Sequence, residues 1–246
     1  ALNFFQTAEF GISQNDLQFA LDKPNYLSAN QDFVSVVPKC EDTLSNKYYA
    51  IKLLQDLTKI HSLDKDPKVL IDVTLKRLQF VKSNSTIDNK EELYLATLDQ
   101  LVSQYKSHTS VTEVMFLKAS WYYSNSNIND SKEGVKYGKR TAFEICKKAE
   151  ELFPNSYGSM QCGNLKRTIE KKSFSVQIEN VMAPSEHHPY QITFNNIDHV
   201  YFKLLSLPKD YQQNKKNDKG IKHVVDQLKL DGTEVKSWSQ VTPNKK

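Results

Sequence analysis

Apolar residues in the first two thirds of the chain recur every three or four positions, whereas in the last third they alternate with polar ones. The first spacing lines one face of an α-helix and the second one face of a β-strand. Leu44, Tyr48, Ile51, Leu54, Leu57 and Ile60 predict an amphipathic helix over about 41–61. Asp66-Pro67 predicts the start of the next, because proline is tolerated in a first helical turn, with Ile71, Leu75, Leu78 and Val81 facing inward. A third helix is expected over about 89–105 on Leu93, Leu98, Leu101 and Tyr105. Thr109, Ser110 and Thr112 are N-cap candidates for a fourth, with Glu113 and Leu117 behind them and an end near Tyr123. Ser124 to Asp130 has turn chemistry throughout. Ala142, Ile145, Ala149 and Leu152 form the stripe of a fifth helix, which Pro154 stops, and Leu165 and Ile169 belong to a sixth over 157–169. Upstream, Leu17, Phe19 and Leu21 before Pro24 predict one short helix, then an ordered connection to Pro38.

Past Ile169 the period drops to two. Phe174, Val176 and Ile178 alternate with polar residues, as do Tyr190, Ile192 and Phe194, which predicts two half-buried strands. Pro184 and Pro189 fall between them, so the connection is a hairpin or a sheet-to-sheet crossover. A polar loop over 208–220, a short helix on Val224, Val225 and Leu228, a turn at Asp231-Gly232 and a strand carrying Val235, Trp238 and Val241 complete the pattern. The fold class expected is α+β, with an antiparallel, solenoid-like helical stack over 1–171 and a partial antiparallel β-sandwich over 172–246. The run from Ala149 to Pro154 resembles the close of a tetratricopeptide repeat, with Trp121 and Ala142 as the further positions of that pattern. So few strands do not close a sandwich comfortably, and the chain reads as a piece of something longer.

At 246 residues the chain suits one large or two ordinary domains. Its net charge of +4 comes from lysine, since the arginines are Arg77, Arg140 and Arg167 alone. Nucleic-acid sites lean on arginine for bidentate contacts, and lysines interleaved with Asp and Glu describe ordinary solvated helix faces, so no nucleic-acid partner is expected. Lys215, Lys216, Lys219 and Lys222 are expected in a solvated loop. No apolar run approaches the roughly 18 to 20 residues of a membrane span. The chain opens on Ala1 without a basic segment followed by an apolar one, so a signal peptide, if the gene encodes one, precedes it.

Cys40, Cys146 and Cys162 match neither a zinc spacing nor a disulfide framework. Cys146 and Cys162 are equidistant in sequence from Pro154, so a helical hairpin turning there brings them level. A bridge between them is one reading and buried free thiols the other. His187, His188 and His199 flank adjacent expected strands, but only Glu186 stands at ligand spacing beside them, and no metal site is assigned. The chain carries no nucleophile elbow, phosphate loop or zinc-protease motif, and its seven glycines leave little scope for phosphate cradles. Glu91-Glu92 and Glu150-Glu151 sit on polar helix faces. No catalytic residue, cofactor or small-molecule substrate is therefore expected. Trp121-Tyr122-Tyr123 and Tyr48-Tyr49 each put one ring off the core face, which marks either packing against the next helix or a partner groove.

The run from Phe153 to Ile169, the strand 174–178, Ile192-Thr-Phe-Asn-Asn-Ile197 and Val200-Tyr-Phe-Lys-Leu204 resemble, in order and spacing, the N-terminal region of large alpha-2-macroglobulin-like proteins of Bacteroidetes. There a helical region precedes the first macroglobulin sandwich, whose early strands carry Tyr-Arg-Asn. Phe194-Asn195-Asn196 fills that place, with Asn195 at the arginine position, and Ser237-Trp238 resembles a Ser-Trp later in the same sandwich. The resemblance covers nearly the whole chain, with its anchors between Phe153 and Val241. It implies a periplasmic or lipid-anchored surface protein that traps proteases through a bait region and an internal thioester, both beyond Lys246. Cys162-Gly163 is no thioester, since Leu165 stands where the condensing glutamine would be. The expected partners are proteases, met through other parts of the full-length chain, and neighbouring domains of the same polypeptide. The alternative is a stand-alone helical-repeat module that binds a protein or peptide, with a β appendage.

Overall fold

The computed structural model describes residues 19–41, 45–178, 189–208 and 220–242. Its contacts divide the chain into two compact units, Ala1–Ile169 and Glu170–Lys246. The architecture is mixed α+β: among the described residues, helices make the first unit, and two antiparallel two-stranded sheets with one helix make the second.

In the first unit a 3-10 turn at Pro24–Tyr26 leads to α1 (Asn30–Ser35), α2 (Asn46–His61), α3 (Lys68–Asn84), α4 (Lys90–Gln104), α5 (Val111–Ser124), the short α6 (Glu133–Lys136), α7 (Gly138–Leu152) and α8 (Tyr157–Glu170). α2 starts at Asn46, five residues inside the expected range, where the Ser45 hydroxyl caps it by accepting the Tyr48 N–H. Asp66 does the same for α3 through the Lys68 N–H at 2.9 Å. The expected helix around Phe19 and Leu21 does not form among the described residues: 19–23 are irregular, Leu21 O accepts the Thr86 N–H, and helix appears instead at α1. Leu17 and Leu44 lie outside the described residues.

One core joins Leu21, Tyr26, Leu27 and Phe33 to the inward stripes of α2, α3 and α4. Ile51, Leu54, Leu78 and Leu98 are fully buried there. A second core is built largely from small side chains, Ala119 of α5, Ala142, Cys146 and Ala149 of α7 and Cys162 of α8, with Met115 of α5 as its one long member. Small residues let helix backbones approach, and two glycines take this to its limit. A Cβ on Gly158 would stand 2.2 Å from the Thr112 carbonyl carbon, and one on Gly138 would stand 2.3 Å from the Tyr122 oxygen. α8 runs back along α7, with Ser159 Oγ donating to Ala149 O at 2.9 Å.

In the second unit β1 (Ser173–Ile178) pairs with β2 (Tyr190–Asn195), and β3 (His199–Ser206) with β4 (Thr233–Val241), which follows α9 (Gly220–Asp231). α9 begins inside the range expected as loop and takes in Lys222, while Lys215, Lys216 and Lys219 lie outside the described residues. Asn196, at φ 53, turns the chain between β2 and β3; asparagine tolerates that left-handed backbone better than most residues. The side-chain amides of Asn195 and Asn196 both donate to Lys171 O, at 2.9 and 3.3 Å. Phe202 and Trp238, opposite each other in the β3–β4 register, stack with centroids 5.0 Å apart. Strand burial departs from the expected half-buried alternation. Ile192 and Phe194 are half-buried, but Phe174 and Val176 of β1 are exposed and so is every residue of β4. With two strands per sheet, many apolar side chains have no layer to pack against.

Candidate functional site

Between Leu27 and Val36 the chain makes only the six-residue helix α1, and the carbonyls that α1 leaves unpaired must find donors elsewhere. Buried polar side chains of three helices supply them. Thr97 Oγ1 of α4 donates to Leu27 O at 2.6 Å, Arg77 Nη2 of α3 to Ser28 O at 2.7 Å, and Gln55 Nε2 of α2 to Phe33 O and Val36 O at 2.9 and 2.8 Å. Thr74 Oγ1 adds a bond to Asn30 Oδ1 at 3.1 Å.

Arg77 is the anomaly of this set. It is the largest fully buried side chain among the described residues, with no exposed surface. Its guanidinium carbon lies 4.5 Å from the centre of the Phe33 ring, yet Nε and Nη1 have no hydrogen-bond partner. Burial alone pushes its pKa down to about 9, with no carboxylate acting to hold it up, and that still leaves the group charged at neutral pH. A buried cation without a counter-charge is costly, because lost hydration is replaced by one carbonyl and one aromatic face.

Arg77 also lines a cleft of about 590 Å³ in the first unit. The N-terminal end of α1, the α2–α3 connection, α3 and α4 form its walls, through Asn30, Thr74, Thr97, Gln100 and Gln104 among polar groups and Leu70 and Leu101 among apolar ones. Among the described residues Arg77 is the one cation of the lining and Asp64 the one acid, and Asp64 is engaged by His61 Nδ1 at 2.7 Å. A cleft of this size, with a mainly apolar surface broken by amide and hydroxyl groups, suits a small organic group or the end of a peptide.

The residues weighed from sequence are distributed differently. His61 and His108 pair with Asp64 and Asp66, and His199 stacks on Tyr201 with centroids 6.3 Å apart. His187 and His188 lie outside the described residues, among which no group of three or more His, Cys, Asp or Glu side chains is placed to hold a metal. Glu92 pairs with Lys132 at 2.7 Å, which holds its carboxyl below the usual range, and Glu150 pairs with Lys166 at 2.7 Å. Trp121 is buried and its indole N–H donates to Glu91; Tyr49 is exposed and packs edge-on to Tyr48. The Cys146 and Cys162 thiols meet in a hydrogen bond as free thiols, and that bond together with burial pushes the Cys162 thiol up. Among the described residues no helix is long and apolar enough to cross a membrane.

Sequence reasoning passed over Arg77 except to count it. The signal was positional: Arg77 falls three residues after Thr74 and four before Val81, on the buried side of a helix. The chain matches no family model, no curated protein and no solved structure.

Proposed function

We propose that this chain is a non-catalytic segment of a large alpha-2-macroglobulin-like protease inhibitor, in which the helical unit serves as spacer or docking module and the β unit opens the first macroglobulin sandwich. The observation that supports this reading is the facing of the two sheets. Ile192 and Phe194 of β2 share a small apolar cleft with Val200 and Phe202 of β3, and Tyr190 packs on Phe202 at 5.6 Å, the kind of contact from which a two-layer β core is built. On this reading the protein works in the periplasm or at the cell surface, held there by a lipid anchor outside the chain described, and its partners are proteases and the adjoining domains of one polypeptide. The resemblance that prompts it runs from Phe153 to Val241.

The test is the size of the native polypeptide in source cells, by immunoblot against this chain with peptide mass mapping downstream of Lys246. A product several times 28.3 kDa with further β-rich sequence is the expected result. A product near that mass overturns the reading. The second reading, a self-sufficient helical module that binds a protein or peptide, is favoured by the Arg77 cleft.

A further inference from the structure

We propose that the cleft over Arg77 is a binding site for an organic carboxylate, the Arg77 guanidinium recognising the anion and the amides and hydroxyls of α3 and α4 orienting the group that carries it. The inference is independent of the inhibitor reading, because it uses only groups inside the helical unit, and it shares its cleft with the second reading.

Three observations converge on it. The first is a charge with no partner: Arg77 is fully buried, and Nε and Nη1 make no hydrogen bond. The second is position: the same side chain lies at the wall of a cleft of about 590 Å³, and an anion meets Nε and Nη1 by displacing the lining groups that cover them. The third is what the structural duty of Arg77 does not require. Its bond to Ser28 O is a clamp on a passing carbonyl, and Gln55 performs the same duty for Phe33 O and Val36 O with no charge at all. That duty calls for one donor at the end of a long side chain and not for a charge. What arginine adds is a positive charge and further donors of its five, in a planar array that matches a carboxylate.

The charge count selects the anion. Among the described residues Arg77 is the single cation of the lining, and Asp64 stands among the lining residues too. A carboxylate carries one negative charge and is neutralised by one guanidinium. A phosphate near neutral pH carries closer to two, which calls for a second cation the lining does not contain. Leu70 and Leu101 supply apolar contact for a carbon chain, and Gln100 and Gln104 supply amides for a peptide backbone or a polar substituent. A peptide C-terminus and a free organic acid share this chemistry, and the experiment separates them.

The whole chain is titrated with butyrate, with an N-acetylated alanine tripeptide as free acid, with its C-terminal amide and with inorganic phosphate, following the Arg77 Nε–H resonance by NMR and the heat of binding by calorimetry. Saturable movement of that resonance by butyrate or the tripeptide acid, with none by the amide, is expected. Tighter binding of the tripeptide identifies a peptide C-terminus, and tighter binding of butyrate a free acid. Arg77→Gln removes the charge, and its shorter side chain no longer reaches Ser28 O, so it should weaken the carboxylate by at least about tenfold at some cost in thermal midpoint. Should Arg77→Gln fail to fold, Gln100→Trp places a ring from an exposed position of the cleft wall and should weaken binding equally. Silence of the Arg77 resonance to every carboxylate, equal response to acid and amide, or response to phosphate alone overturns the proposal.

Discussion

The helical and β units bury their apolar residues to opposite extents, and the contrast shows what a secondary-structure pattern can and cannot achieve alone. In the helical unit the stripes of α2, α3 and α4 meet one another, and Ile51, Leu54, Leu78 and Leu98 lose all exposure. In the β unit Tyr201 remains 79% exposed and Val235 61% exposed, although each sits in a correctly paired strand. Hydrogen-bonded pairing satisfies backbone groups, but a two-stranded ladder has no face wide enough to bury both sets of side chains. Helices satisfy their own backbone within one segment and bring a whole stripe to each neighbour.

The largest expected effect tests the helical side of this contrast. Leu98→Ala empties a fully buried site and should cost about 2–5 kcal/mol in denaturant unfolding followed by helical circular dichroism. Next comes an alkaline slope. Burial, with Glu91 adding repulsion, pushes the Tyr94 phenol up to about 12 from an ordinary 10. The unfolded phenol therefore ionises first, so stability is fully present below pH 10 and falls by roughly 2–3 kcal/mol as pH rises toward 12. Tyr94→Phe should flatten that part of the pH profile, and an unchanged slope would assign the loss to other groups. Gly158→Ala forces α8 away from the Thr112–Glu113 backbone and should cost about 1–3 kcal/mol, whereas Gly163→Ala, whose Cβ meets only the Glu150 carboxylate at 3.1 Å, should cost less. Ser45→Ala removes the cap of α2 and should cost about 1 kcal/mol by the same measurement. The smallest effect belongs to the β unit: Tyr201→Ser should change stability by no more than about 0.5 kcal/mol. A loss comparable with that of Leu98→Ala would break the comparison and mean that β3 carries a packed face in solution.

Legibility in the sequence follows the range of the interaction concerned. The three-four spacing of Ile71, Leu75, Leu78 and Val81 predicts α3, and the alternation of Tyr190, Ile192 and Phe194 predicts β2, because both periods are properties of a local backbone. Ser45 and Asp66 mark helix starts through contacts two or three residues long. α1 went unread for the opposite reason: six residues with Phe33 as their one buried side chain hold their place through Gln55, far along the chain. Alternation in β1 likewise gave no warning that Phe174 and Val176 stay exposed, since burial depends on what covers a face.

The sequence by itself determined that the long segments of α2, α3, α4, α5, α7 and α8 coil and those of β1, β2 and β4 extend, that Asp66-Pro67 opens one helix and Pro154 closes another, and that lysine charge is spread over helix faces. Tertiary structure alone decided which stripes meet, which strand faces stay bare and which single charge is sealed inside. Arg77 and Ser28 are 49 residues apart, and no spacing rule couples them. Periodicity is written in neighbours along the chain, whereas desolvation of a charge is set by every group that closes around it.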